Sequence, residues 1–345
     1  MTRRIVLLFD GTWNRRKHRT NVSRMHASIV SSGRDDPEQP CFYDEGVGTK
    51  WYTAITGGAF GRGLTENILE GYAWLSRRQQ PGDDIYIFGF SRGAYTARSL
   101  AGLIRKCGLL NTVSRERIAA ANALYRDKDA HPDGPRAQAF RAANSRETRI
   151  RFIGVWDTVG ALGVPLSQGP FSRGYYQWHD TELSKIVDCA YHAVATDEHR
   201  RDFDVTVWSR KPGNVDVEQR WFAGSHSDVG GGGGSEPLTG IALRWLQDKA
   251  ESCGLTLQDK ATIGPQDHLA PVSDSFGEFA LGIYRLFRRR HHRPFGSGQN
   301  ETVDESVWRR WAADPAYRPP SLRNHPQRPA DPSPPVDGLM PQPAP

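Results

Sequence analysis

Gly89-Phe90-Ser91-Arg92-Gly93 is the stretch whose residue types and spacing most plainly suggest chemistry. A serine between two glycines, closing an apolar run and opening a helical stretch, fits a nucleophile elbow. Such a turn is tight enough that small flanking residues are needed for neighbouring chain to approach. It leaves the hydroxyl exposed at a helix N-terminus, whose dipole favours developing negative charge. A serine that merely caps a helix is the plainer alternative. A hydroxyl is a weak nucleophile, so the elbow needs a base, and the base needs an orienting carboxylate. In hydrolases built this way the chain order is Ser, then Asp or Glu, then His. Asp157 ends the apolar run Phe152-Ile153-Gly154-Val155-Trp156, where such a carboxylate belongs, although a turn or cap aspartate would look the same. His226 follows Trp221-Phe222-Ala223 in a glycine-rich loop. Of the 11 histidines it alone combines a preceding strand, the right order and a loop setting. Asp228 is the alternative acid, but two residues from His226 it reaches the far imidazole nitrogen awkwardly. An oxyanion hole would draw on the backbone N–H of Arg92, just after the nucleophile, and on that of Gly11 or Thr12 in the loop after the first strand.

Positioning these groups requires a sheet. Ile5 to Phe9 is a continuous apolar run, as in a buried parallel strand. Apolar residues at 64, 68, 72 and 75 predict a helix over 64–79, ended by Pro81-Gly82-Asp83-Asp84. A second strand is expected over 85–90 and a helix over 94–106, stopping near Gly108. Residues 113–146 read as helical and 149–156 as a third strand. Residues 182–197 read as a helix with His192 a structural residue inside it. Strands are expected over 203–208 and 219–223, and a helix over 238–251 after the five glycines 230–234. Strands alternating with helices predict an α/β fold with a mostly parallel central sheet flanked by helices. Insertions at about 15–60, 110–146 and 164–180 are expected to form a cap. Their aromatic residues Trp51, Tyr52, Tyr175, Tyr176 and Trp178 suit an apolar pocket or lid, and core packing equally well. The domain is expected to span 1–323. From Pro315 on, 11 of 31 residues are proline, so 324–345 reads as a disordered or polyproline tail of unknown partner. The basic run Arg288 to Arg293 reads as a solvated helix end, with contact to an anion or a lipid surface as the alternative.

Composition narrows the class. The 345 residues are 37% hydrophobic and 24% charged, enough for a core and too apolar for a disordered chain. Net charge is +6 and the acidic residues are interspersed with the basic ones, which argues against nucleic acid as a specific partner. The four cysteines form no CxxC pair, which excludes a disulfide scaffold and the usual cysteine zinc sites. No apolar run nears the ~18 residues of a membrane span, and the one after Met1 to Arg4 is too short for a signal peptide. A soluble, cytoplasmic protein without metal or cofactor is expected.

Further stretches make the sequence recognisable. They are Leu8 to Asn14, Tyr43 to Thr49, Gly57 to Leu64, Gly89 to Ser99, Gly154 to Gly160 and Gly224 to Gly232, spread over residues 4–323. With them the chain resembles the uncharacterised α/β-hydrolase domain family that includes the catalytic domains of type VI secretion phospholipase effectors. The resemblance implies a Ser–Asp–His triad on Ser91, Asp157 and His226, esterase or lipase activity, and no metal. The expected function is therefore cleavage of carboxylic esters, lipids among them, through an acyl-enzyme, with transient contact to a membrane surface. Two alternatives stay open. Phe9-Asp10-Gly11-Thr12 is similar to the first motif of haloacid-dehalogenase phosphatases, which would make a metal-dependent phosphohydrolase. Those enzymes need a nucleophilic aspartate where this chain has Leu8. The Gly230 to Gly234 run could cradle a phosphate, but no GxxxxGK[ST] accompanies it. The other alternative is a catalytically inert interaction module with the hydrolase fold.

Overall fold

The apolar run near the start becomes β1 (Arg4–Phe9), in which Ile5 to Phe9 have no exposed surface. The structure is a computed structural model that describes residues 2–11, 19–29, 38–46, 57–160, 182–213, 215–278 and 284–330. Side chains alternate between the faces of a strand. Ile5, Leu7 and Phe9 pack against α2 (Gly57–Arg78) and α3 (Arg92–Cys107). Val6 and Leu8 pack against α1 (Asn21–Ile29) and α7 (Glu236–Ser252). A strand covered on both faces must be apolar at every position, which is why the run is continuous rather than alternating.

The remaining elements complete one sheet. They are β2 (Cys41–Asp44), β3 (Asp84–Phe90), β6 (Ile150–Trp156), β7 (Val187–Ala195), β8 (Asp216–Phe222) and β9 (Glu301–Val303). The spatial order is β2-β1-β3-β6-β7-β8-β9, and every neighbouring pair is parallel. This is the expected α/β-hydrolase-like architecture. From β1 the chain builds outward to β2 on one side and to β3 on the other. The strand order thus reverses its direction of growth between β1 and β3, whose C-terminal ends mark the usual ligand position in such sheets.

Several expectations are corrected. Residues 182–197 hold no helix; β7 occupies them and pairs with both β6 and β8. A short apolar run without glycine or proline is ambiguous by periodicity, and alanine favours the helical reading. The small residues Ala190, Ala193 and Ala195 are buried between the two helical layers. Residues 203–208 form no strand. A single 3₁₀ turn (Arg201–Phe203) and one antiparallel bridge, Val159 to Val205, stand there. The insertion at 110–146 contains α4 (Arg115–Arg126), α5 (Pro135–Asn144) and a two-stranded ribbon of β4 (Leu109–Leu110) and β5 (Ser145–Arg146). It grips the C-terminal ends of α2 and α3. Lys106 Nζ donates to the Asp127 carbonyl at 2.6 Å, and Arg146 Nη2 to the carbonyls of Ser76 (2.9 Å) and Gln79 (2.8 Å). Those helix ends adjoin the start of β3, so the insertion buttresses the edge opposite Ser91 and does not cap it. The expected lid segment 164–180, with Tyr175, Tyr176 and Trp178, lies outside the described residues, as do Trp51 and Tyr52. The start of the proline-rich tail belongs to the fold, because His325 packs on Phe295 (4.7 Å) and Trp308 (5.2 Å). Trp308 sits on α8 (Glu305–Ala313), whose buried face covers β9 and Ala223. Among the described residues no helix is long and apolar enough to cross a membrane.

Candidate active site

Ser91 sits between β3 and α3 with φ 58° and ψ −119°, a conformation that strains any residue with a Cβ. Its backbone N–H donates to the Trp156 carbonyl at 3.0 Å, which ties the turn to the end of β6. The flanking glycines are steric necessities. A Cβ at Gly89 would lie 2.4 Å from the Gly93 carbonyl oxygen, and one at Gly93 would lie 2.0 Å from that of Phe9. The hydroxyl consequently stands at the N-terminus of a helix of 16 residues.

Two further strand ends deliver its partners. His226 opens the short helix α6 (His226–Gly230) just after β8, and its Nε2 lies 2.9 Å from Ser91 Oγ. Its Nδ1 lies 2.5 Å from Asp157 Oδ2. Asp157 follows β6 at φ 40° and is fully buried. The imidazole rests on Phe90, 4.6 Å between ring centres, and meets the edge of Phe203 at 5.3 Å. Burial holds its pKa below the ordinary histidine value, partly opposed by Asp157. At neutral pH His226 is therefore neutral and able to accept a proton.

Asp157 has more partners than His226. Its Oδ1 accepts from the Ala195 N–H at 2.9 Å. Arg293, 1% exposed, closes a two-pronged pair on it, Nη1 to Oδ1 at 2.6 Å and Nη2 to Oδ2 at 3.0 Å. Burial alone would raise the carboxyl's pKa. The Arg293 charge and the His226 hydrogen bond overcome burial and hold it far below the usual carboxylate range. Arg293 corrects the reading of residues 288–293 as a solvated helix end. Its signal was hidden, because one buried arginine at the end of a basic run looks like its exposed neighbours.

The turn before His226 is gripped from the segment just beyond β7. Asp197 Oδ2 accepts from the Gly224 N–H at 2.7 Å, and Glu198 Oε2 from the His226 N–H at 3.3 Å. Burial works to raise the Glu198 pKa, but its pairing with Arg200 wins and lowers it to about 2. His192 stands fully buried on β7, where its Nε2 accepts the Thr158 N–H at 3.0 Å and fixes the chain just after Asp157. Burial, helped by the Arg98 charge, lowers its pKa to about 3. Below pH 6.5 the unfolded chain takes up a proton at this histidine that the folded chain refuses, so its contribution to stability falls with pH until about pH 3. Replacing His192 by Gln is expected to flatten the stability profile between these limits by about 1.4 kcal/mol per pH unit. Urea titrations at several pH values check this. An unchanged slope would mean that His192 is protonated in the folded protein.

The other expected site residues fare differently. Arg92 is the first residue of α3, so its N–H lies beside Ser91 at the positive end of the helix dipole. The Gly11 N–H is committed to Asp10 Oδ1 at 2.7 Å, which removes it as an oxyanion donor in this geometry. Thr12 lies outside the described residues. Asp228 makes no hydrogen bond to His226 among the described residues. Its two oxygens accept from the N–H groups of Ser225, Ser235 and Ser273 and from the Ser273 hydroxyl, all within 2.9 Å. Asp10, the residue behind the phosphatase alternative, holds Thr20 (2.6 Å) and Tyr43 (2.8 Å) on its Oδ2. The glycine run is a packing feature. A Cβ at Gly230 would strike the Phe90 ring at 1.9 Å, and Gly231, at φ 85°, lies against Thr20. Among the described residues no group of three or more His, Cys, Asp or Glu is arranged to hold a metal ion.

A parallel seven-stranded sheet with an elbow serine at its C-terminal edge defines an α/β-hydrolase-like protein. The chain belongs to the family described as T6SS, phospholipase effector Tle1-like, catalytic domain, whose model matches residues 3–249. It is also similar to an uncharacterized protein of Saccharomyces cerevisiae, 31% identical over 234 residues, which cover 60% of this chain and 33% of that one. The chain thus spans about a third of the length of that relative. A crystal structure of an uncharacterized protein from Pseudomonas aeruginosa aligns with a TM-score of 0.46 and 22% identity, over 79% of this chain and 49% of the other. The Tle1 effector bound to the VgrG spike from the type 6 secretion system aligns with a TM-score of 0.40 and 19% identity, over 69% and 53%. Arg293, Ser273 and β9 all come from beyond the family-matched span.

Proposed function

We propose that this protein is a serine hydrolase that cleaves carboxylic esters of lipids through an acyl-enzyme, with Ser91 as nucleophile, His226 as base and Asp157 as its orienting acid. The unbroken hydrogen-bond chain from Ser91 Oγ through both nitrogens of His226 to Asp157 Oδ2 carries this reading. The phospholipase-effector family supports lipid esters as the substrate class.

In the first half-reaction Ser91 Oγ attacks the ester carbonyl carbon while His226 Nε2 takes the hydroxyl proton. Asp157 holds the tautomer with the proton on Nδ1 and stabilises the imidazolium that forms. The developing oxyanion is stabilised by the Arg92 N–H and the α3 dipole. Collapse of the tetrahedral intermediate breaks the acyl–oxygen bond, and His226 returns the proton to the leaving alcohol. Water, deprotonated by His226, then attacks the acyl-Ser91 ester and releases the acid.

A fluorophosphonate probe tests the reading directly, because it labels only an activated serine. The wild-type protein is expected to label on the peptide bearing Ser91. It is also expected to release fatty acid from phospholipid vesicles or from p-nitrophenyl esters of graded chain length. A folded protein that labels nowhere, or on another serine, would overturn the assignment.

A further inference from the structure

We infer that Arg293 is a positioning residue for the candidate triad, and that the strap carrying it, beyond the family-matched span, is needed to complete the site; this rests on the function proposed above. Four observations point there. Arg293 is buried among the elements that hold the site rather than at the surface. Each of its four Nη hydrogens has its own acceptor: the two Asp157 oxygens, the Ala195 carbonyl at 2.9 Å and the Phe203 carbonyl at 2.5 Å. Ala195 ends β7 and its N–H also binds Asp157, while Phe203 packs on the His226 ring. The strap is itself anchored, with the His291 N–H donating to the His199 carbonyl at 2.9 Å and His199 Nδ1 lying 3.0 Å from the His291 carbonyl oxygen.

The chemistry follows from the geometry. A planar guanidinium can match a carboxylate with two parallel bonds and still donate outward with its other two Nη hydrogens. A lysine has one nitrogen and cannot make that pattern. The fork fixes the rotation of the Asp157 carboxylate, so that Oδ2 faces His226 Nδ1 and Oδ1 faces the Ala195 N–H. Its charge acts in addition. Asp157 and His226 share a hydrogen bond, and a positive charge beside them makes protonation of either harder. The charged or titratable groups facing this pair are Arg293, Glu198, Arg200 and the neutral His192, while Asp204 faces Arg293. Arg293 thus keeps the pair in its proton-accepting form to lower pH.

The rate of Ser91 labelling by a fluorophosphonate, followed against pH, separates the fork from the charge. Wild type is expected to lose labelling with an acid limb below pH 6.5. Arg293→Met is expected to label about 10²-fold more slowly at the plateau, with the limb moved up by about one pH unit. Arg293→Lys keeps the charge and loses the fork, so its plateau falls while its limb stays near that of wild type. A buried unpaired Asp157 endangers folding of the Met variant. The double variant Asp157→Asn/Arg293→Met removes both charges and is expected to label no more slowly than Asp157→Asn alone, because Arg293 acts through Asp157. Near-UV circular dichroism establishes that each variant is folded. Single variants that match wild type in plateau and limb would overturn the positioning role, as would a further loss in the double variant. Absence of labelling in folded wild type would instead overturn the triad itself, and the positioning role with it.

Discussion

Ser91→Ala is expected to abolish fluorophosphonate labelling and ester turnover, a loss of about 10⁶-fold in kcat, while leaving the fold intact. The expectation rests on two properties of the position. Among the described residues the only side-chain partner of the hydroxyl is His226 Nε2, so its removal costs stability only about one net hydrogen bond. The backbone at φ 58°, ψ −119° is costly for any residue with a Cβ, and alanine keeps that cost. Ser91→Gly should be equally inactive yet more stable than Ser91→Ala by about 1 kcal/mol, because relief of strain outweighs the entropy glycine gains in the unfolded chain. Urea midpoints of the two variants decide the second point. Equal stability would mean that the turn stores no strain, and residual Ser91-independent labelling would place the nucleophile elsewhere.

Ser91, Asp157 and His226 were legible as candidates because each follows a short apolar stretch bounded by turn residues, in the chain order such hydrolases use. The runs at 5–9, 85–90 and 152–156 are buried on both faces, so their composition declared them. β7 failed the same test, because its alanines and lone histidine imitate a helix. Its strand character comes from the ladders on either side, which local sequence does not contain. β2 and β9 are four and three residues long and follow sheet edges that longer strands create. Arg293 was misread for a related reason. Residue type placed it in solvent with Arg288 to Arg290, and only tertiary contact, 136 residues from Asp157 in sequence, buries it. Gly11 shows the converse. Its loop lies where an oxyanion donor belongs, but the Asp10 carboxylate takes up its N–H.

Asp157→Asn is expected to lower the labelling rate by up to about 10⁴-fold, and it separates the roles of Asp157 and Asp228. An asparagine keeps the shape but presents either a carbonyl or an amide to Nδ1. Nothing then holds the proton there against the alternative tautomer, and the imidazolium loses its counter-charge. The substitution also strands Arg293 as a buried cation, which by itself costs about 3–5 kcal/mol of stability. Labelling must therefore be measured on protein shown to be folded, or the two losses merge. Asp228→Asn provides the contrast. Among the described residues its hydrogen-bond partners are backbone N–H groups and a serine hydroxyl, which knit the turns at 225, 235 and 273 together. Replacing it should weaken the fold while the folded fraction still labels within about tenfold of wild type. If instead Asp157→Asn labels normally and Asp228→Asn does not, the orienting role passes to Asp228. The bond between Asp157 and His226 would then serve to hold the loop rather than to tune the base.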